Sequence, residues 1–294
     1  MKRTFSGATA ALALVVQAFA GGVASADPQA GTHVDTVAAS AGPTVVSVSG
    51  TATFVDIPVT VGTDPTGDAA VSNVGADVTT LSVSRPSPVS GNLVFSMGVA
   101  DAGATNGTPP IGYYWPVAVG DTDDGYYLEG RNVSLAFPTA AAPTFKLMQD
   151  TPDGFLDVAT LSGTMAGGKV TITLPLSRIS AVGGDVINQG SSGGGLGTAL
   201  TAPGALRFNG NLAGDGAFLD EGYTVPFAEV KLGIAEAGTP EPLVPLTTSG
   251  TVNATNGTFS GFLPKPASAG SYIVVAKACY GPSNCGTATS TLTI

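Results

Sequence analysis

Charge is scarce in this sequence. Of 294 residues, 11 are Lys or Arg and 21 are Asp or Glu, which leaves 11% charged and a net charge of −10. Long solvated helices and coiled coils need more charge than that. Cations this few on an acidic chain exclude nucleic-acid binding through phosphates. Histidine occurs once, at His33, which excludes multi-His metal sites and removes the usual catalytic base. Cysteine occurs twice and tryptophan once. No Walker motif or βαβ pattern surrounds the glycines, so a Gly-rich phosphate cradle is excluded too. What the chain does have is 43% hydrophobic residues, enough for a core, and 41 Gly with 21 Pro, too many for long helices.

The N-terminus carries an export signature. Lys2 and Arg3 precede an apolar stretch from Ala8 to Ala20, and Ala24-Ser25-Ala26 gives a small-x-small cleavage site. This predicts a signal peptide over residues 1–26, cut between Ala26 and Asp27, and a secreted, extracellular mature chain. The stretch is shorter than the roughly 20 residues that a membrane span requires. No other segment is long and apolar enough, so no membrane span is expected in the mature chain. Cys279 and Cys285 flank Tyr280-Gly281-Pro282-Ser283-Asn284, a turn signal. An even cysteine count in an exported chain predicts a disulfide across that hairpin.

Residues 27–43 are rich in Ala, Gly, Ser and Thr without sustained periodicity, and predict a flexible leader. Beyond them, apolar and polar residues alternate. Leu93, Phe95, Met97 and Val99 keep a period of two, as do Val170, Ile172, Leu174 and Leu176. Val55, Ile57, Val59 and Val61 alternate as well, and Pro58 within that run predicts an edge strand. Short strands punctuated by Gly, Pro, Asp and Asn predict an all-β chain of antiparallel β-sandwich type. The Gly/Ser run at 190–197 reads as a loop, because strand-like material follows it. A boundary is expected near Pro226, giving a large β-sandwich over 44–226 and a small Ig-like sandwich over 227–294. In the latter, Tyr272, Val274, Ala276 and Ala278 share one face. Tyr272 should therefore pack inward with its hydroxyl bonded at the edge.

Two stretches resemble known families. Asp64-Pro-Thr-Gly-Asp68, then Gly75-Ala-Asp77-Val-Thr-Thr-Leu-Ser-Val-Ser84, then Gly91-Asn-Leu-Val-Phe-Ser96, resembles the DOMON and family 9 carbohydrate-binding-like β-sandwiches of secreted bacterial proteins. Tyr113-Tyr-Trp115, Gly125-Tyr-Tyr127 and Val170–Ser177 extend the resemblance over roughly Val55 to Pro226. Thr258-Phe-Ser260 followed by Gly270-Ser-Tyr-Ile-Val-Val-Ala-Lys-Ala-Cys279 looks like a bacterial Ig-like domain. The first resemblance implies sugar binding.

Three kinds of chemistry are open to these residues. Tyr113, Tyr114, Trp115, Tyr126 and Tyr127 gather four of the seven tyrosines and the only tryptophan. Flat aromatic faces stack on sugars, so these five are the candidate ligand-binding residues, with core packing as the alternative. Asp64, Asp68 and Asp77 lie in Gly-bearing turns and could hold a structural Ca²⁺, although Asp is also an ordinary turn residue. Asp123, Asp124 and Glu129 are where a carboxylate-based hydrolase would be sought. Gly190-Ser191-Ser192-Gly193-Gly194 matches Gly-x-Ser-x-Gly, yet no His follows it, so no catalytic residue is assigned and no enzyme is expected. The resulting expectation is a non-catalytic secreted module that binds extracellular glycan or a cell-envelope polymer. The alternative is an adhesion or structural protein that binds another protein.

Overall fold

The structure is a computed structural model that describes residues 31–67, 77–100, 111–120, 125–133, 140–188, 204–207, 214–216, 223–239 and 242–294. The described residues form antiparallel strands with no α-helix among them, so the chain is all-β. The export signal and the Gly/Ser run at 190–197 lie outside the described residues.

The first two strands are β1 (His33–Ala41) and β2 (Val45–Thr53). The next thirteen are β3 (Val59–Thr63), β4 (Val78–Ser84), β5 (Asn92–Val99), β6 (Ile111–Val119), β7 (Tyr126–Val133), β8 (Ala140–Thr151), β9 (Gly154–Thr160), β10 (Ser162–Ala166), β11 (Lys169–Pro175), β12 (Val186–Asn188), β13 (Gly204–Arg207), β14 (Gly214–Gly216) and β15 (Tyr223–Thr224). Five more complete the chain: β16 (Ala228–Glu236), β17 (Pro242–Val252), β18 (Thr258–Pro264), β19 (Ser271–Tyr280) and β20 (Cys285–Thr293).

Strands from both ends of the chain share one seven-stranded sheet, in the order β1-β2-β18-β17-β16-β19-β20. The long β17 pairs with β16 over most of its length and with β18 at Thr251 and Val252. β1 lies against β20, so the two ends of the sheet come together. A Cβ at Gly286 would sit 2.6 Å from His33 Cα, an approach only glycine permits. The sheet thus wraps around a core that includes Val46, Val48, Leu232, Phe259, Val274 and Ala276.

This arrangement corrects the expected organisation in two respects. Residues 33–41 are a strand, not part of a flexible leader. β2, expected in the large N-terminal sandwich, instead pairs with β18 from Val46 opposite Leu263 to Thr51 opposite Thr258. The physical reason is a ladder of main-chain hydrogen bonds, which Ala, Ser and Thr form as readily as larger residues. Burial of Val34, Val46 and Val48 then anchors it. The 227–294 segment therefore shares its sheet and its core with residues 33–53.

Residues between β2 and β16 build the second body. A five-stranded sheet, β10-β11-β5-β4-β3, faces an eight-stranded one, β14-β13-β6-β7-β8-β9, in which β12 joins β6 and β15 joins β12. Here the period-two runs behave as their sequence dictates. Leu93, Phe95 and Met97 on β5 and Val170, Ile172 and Leu174 on β11 point into one core, while Thr171 and Thr173 lie less buried on the opposite face. Each such side chain contributes about 1.5–3 kcal/mol when fully buried. β3 starts after Pro58 and is an edge of its sheet.

The turn between β19 and β20 closes on a Cys279–Cys285 disulfide. Tyr272, Val274, Ala276 and Ala278 on β19 are buried together, and the Tyr272 hydroxyl donates to the Ser268 carbonyl at 2.8 Å.

Candidate functional site

Strand parity divides the aromatic cluster. Tyr113 and Trp115 point from β6 into the core of the second body and are 0% and 1% exposed. Trp115 meets Phe95 of the facing sheet edge-on, with ring centroids 5.1 Å apart. On β7, Tyr126 packs against that core from a partly buried position. Tyr127 points the other way and is nonetheless buried, edge-on to Phe155 of β9 at 5.0 Å. Tyr114 is partly buried. Tyr113, Trp115 and Tyr127 therefore offer no ring face to a ligand, because both faces of the sheet are covered at these positions. Parity along a strand showed which rings lie on opposite sides, but not that both sides would be closed.

A polar cluster lies on the face opposite Trp115. Tyr114 and Glu129 stand opposite each other across β6 and β7, and Glu129 pairs with Lys146 of β8. Glu129 is 3% exposed. Its Oε1 accepts from the Tyr114 hydroxyl at 3.0 Å and from Arg131 Nη1 at 3.1 Å. Burial first, and the Glu129 carboxylate next to it second, hold the Tyr114 phenol well above the ordinary tyrosine range. Lys146 turns aside to the Asp157 carboxylate. The arrangement is a carboxylate countered by Arg131 and hydrogen-bonded through Oε1, while Oε2 is buried with no hydrogen-bond partner among the described residues. Asp123 and Asp124, the carboxylates expected to neighbour Glu129, lie outside the described residues.

The aspartates of the β3–β4 hairpin are partly described. Asp68 lies outside the described residues. Asp64 follows β3 and donates its main-chain N–H to the Thr79 carbonyl at 3.0 Å. Asp77 precedes β4, is 1% exposed, and accepts from the Gly67 N–H through Oδ2 at 2.6 Å. No set of three or more His, Cys, Asp or Glu side chains suited to a metal occurs among the described residues.

The sequence reading missed the junction between the two bodies. Arg85, in the β4–β5 turn, donates through Nη1 to the Pro226 carbonyl at 2.6 Å, through Nε to Ser90 and through Nη2 to Pro88. The Tyr280 hydroxyl donates to the Arg85 carbonyl at 2.8 Å. Asn284 accepts from the Thr32 N–H through Oδ1 at 3.0 Å and donates through Nδ2 to the Val55 carbonyl at 2.5 Å. Burial raises the carboxyl of Asp56 and the phenols of Tyr223 and Tyr280 above their ordinary values. The disulfide-closed turn thus grips both places where the chain passes between bodies. Its only advance signal was the turn sequence between the two cysteines.

Two surfaces are open among the described residues. Among the described residues β9 ends the eight-stranded sheet, has β8 as its one strand partner, and exposes Phe155, Leu156 and Val158. A shallow cleft of about 370 Å³ on the other body is lined by Ile234, Leu243, Val244, Pro264, Lys265 and Tyr272. No protein-family model matches the chain, and no curated protein matches it.

Proposed function

We propose that the protein is an exported, non-catalytic binding protein of the extracellular surface, and that it engages an extended segment of another protein along β9. The observation that carries this reading is the open edge itself. A terminal strand has unpaired main-chain donors and acceptors, which an extended polypeptide complements by adding a strand. Natural edges are usually guarded by Lys, Pro or a covering element. β9 reads Gly-Phe-Leu-Asp-Val-Ala-Thr, and the one charge it carries, Asp157, is matched by Lys146. Leu156 at 58% exposure and Val158 offer apolar contacts for a partner's side chains.

Export is supported by the signal-like N-terminus and by the disulfide. Burial of Tyr113, Trp115 and Tyr127 favours the protein-binding role over stacking on a glycan.

The test compares the mature chain, residues 27–294, with a Leu156→Lys, Val158→Lys variant for binding to the surface of the producing cell. Both positions are exposed, so the variant should fold. Binding that is lost in the variant, and lost after the cells are treated with protease, is the expected result. Binding that survives protease and is competed by free wall polymer would contradict the proposal and restore the glycan reading.

A further inference from the structure

We propose that the neck of the β3–β4 hairpin holds a divalent cation of the calcium class, seated on Asp77. The carboxylate of Asp77 is almost wholly buried, at 1% exposure. Its two oxygens have different fates. Oδ2 accepts the Gly67 N–H. Oδ1 is shielded from solvent and has no hydrogen-bond partner among the described residues.

Among the described residues Asp77 makes no ion pair either. The cations paired among the described residues are engaged elsewhere: His33 with Asp35, Arg131 with Glu129, Lys146 with Asp157 and Lys231 with Glu229. A buried carboxylate oxygen with neither donor nor countercharge is costly enough that native structures rarely leave one. Glu129 Oε2 is likewise buried without a hydrogen-bond partner, but that carboxylate has Arg131 as its countercharge, which Asp77 lacks among the described residues.

The local fold sets a second aspartate on the facing arm of the same hairpin. Thr63 pairs with Thr80, and the Asp64 N–H bonds to the Thr79 carbonyl, so Asp64 and Asp77 flank the mouth of one hairpin. Gly67 has φ of +91°, a left-handed conformation that lets its N–H reach the Asp77 carboxylate. That bond turns the Asp77 side chain toward the 64–67 turn.

The donor chemistry selects the ion. The side-chain donor on offer is carboxylate oxygen, since the single His is paired with Asp35 and both cysteines form the disulfide. Hard cations suit such a set, and zinc or copper does not. Ca²⁺ accepts the irregular geometry of a hairpin mouth, whereas Mg²⁺ demands a near-ideal octahedron.

The experiment is calorimetric titration of the folded chain, residues 27–294, with CaCl₂ and MgCl₂, alongside thermal melts in chelator and in calcium. Saturable calcium binding is expected, with a higher Tm in calcium than in chelator and a weaker response to magnesium. Asp77→Asn should weaken calcium binding by about tenfold or more while the variant stays folded in chelator. Asp64→Asn provides a second reading should Asp77→Asn not fold. Wild-type protein that takes up no calcium at millimolar concentration would overturn the proposal. So would calcium binding that both variants leave intact. A rise in Tm for Asp77→Asn that ignores calcium would show that a proton, and not a metal, satisfies the buried oxygen.

Discussion

At the scale of single residues, the tyrosines carry the clearest physical signature. Tyr114, Tyr223 and Tyr280 have phenols whose ionisation is pushed far upward, chiefly by burial. In the unfolded chain the same phenols ionise near pH 10. Above that pH the unfolded state therefore binds fewer protons than the folded one, so stability falls as pH rises through 10 and beyond. Denaturant melts between pH 9 and 12, followed by phenolate absorbance, should show unfolding and ionisation of these tyrosines as one event. Ionisation of all seven tyrosines near pH 10 in a chain that remains folded would contradict this placement. The sequence placed Tyr113 and Trp115 on one strand face and Tyr114 on the other, because alternation is a local property. Closure of both faces depends on residues far away in the chain, so burial of Tyr127 and Glu129 could not be read there.

At the scale of elements, legibility follows the size of the buried side chains. β5 and β11 announce themselves through Leu93, Phe95, Met97, Val170, Ile172 and Leu174. β1 does not, since most of its side chains are small or polar and only Val34 is fully buried. Its existence depends on pairing with β2, whose other partner is β18 near the far end of the chain. The β19–β20 turn was legible as a cysteine-bounded hairpin but not as a clamp. Closing so short a loop contributes about 2–3 kcal/mol through the unfolded state. A Cys279→Ser, Cys285→Ser variant should lose that much stability. It should also exchange the Thr32 amide faster, because that N–H bonds to Asn284 within the closed turn. Urea melts and hydrogen exchange check both parts. Unchanged protection at Thr32 would mean that the turn holds its place without the bridge.

For the molecule as a whole, the consequence is nesting. The body carrying β3 to β15 lies between two strands of the seven-stranded sheet, so that sheet forms only when both ends of the chain are present. The composition predicted an all-β chain of antiparallel strands, and the chain is one. Long-range strand order leaves no mark on composition or periodicity, which is why residues 33–53 were assigned elsewhere. Residues 227–294 alone lack the β2 ladder for β18 and the buried Val34, Val46, Val48 and Ala52. That fragment should show no cooperative melt by circular dichroism. Joining residues 31–54 to it through a short flexible linker should restore one. Cooperative unfolding of 227–294 by itself would contradict the shared sheet.

Tyr113 and Trp115 of the aromatic strip serve the core, and under the proposed function binding falls to the β9 edge. Because Trp115 is the only tryptophan, its fluorescence reports on that claim directly. We predict blue-shifted emission, little quenching by acrylamide, and no change when wall polymers or glycans are added. Solvent-like emission that a glycan quenches saturably would contradict the account and return the binding site to the β6–β7 aromatic strip.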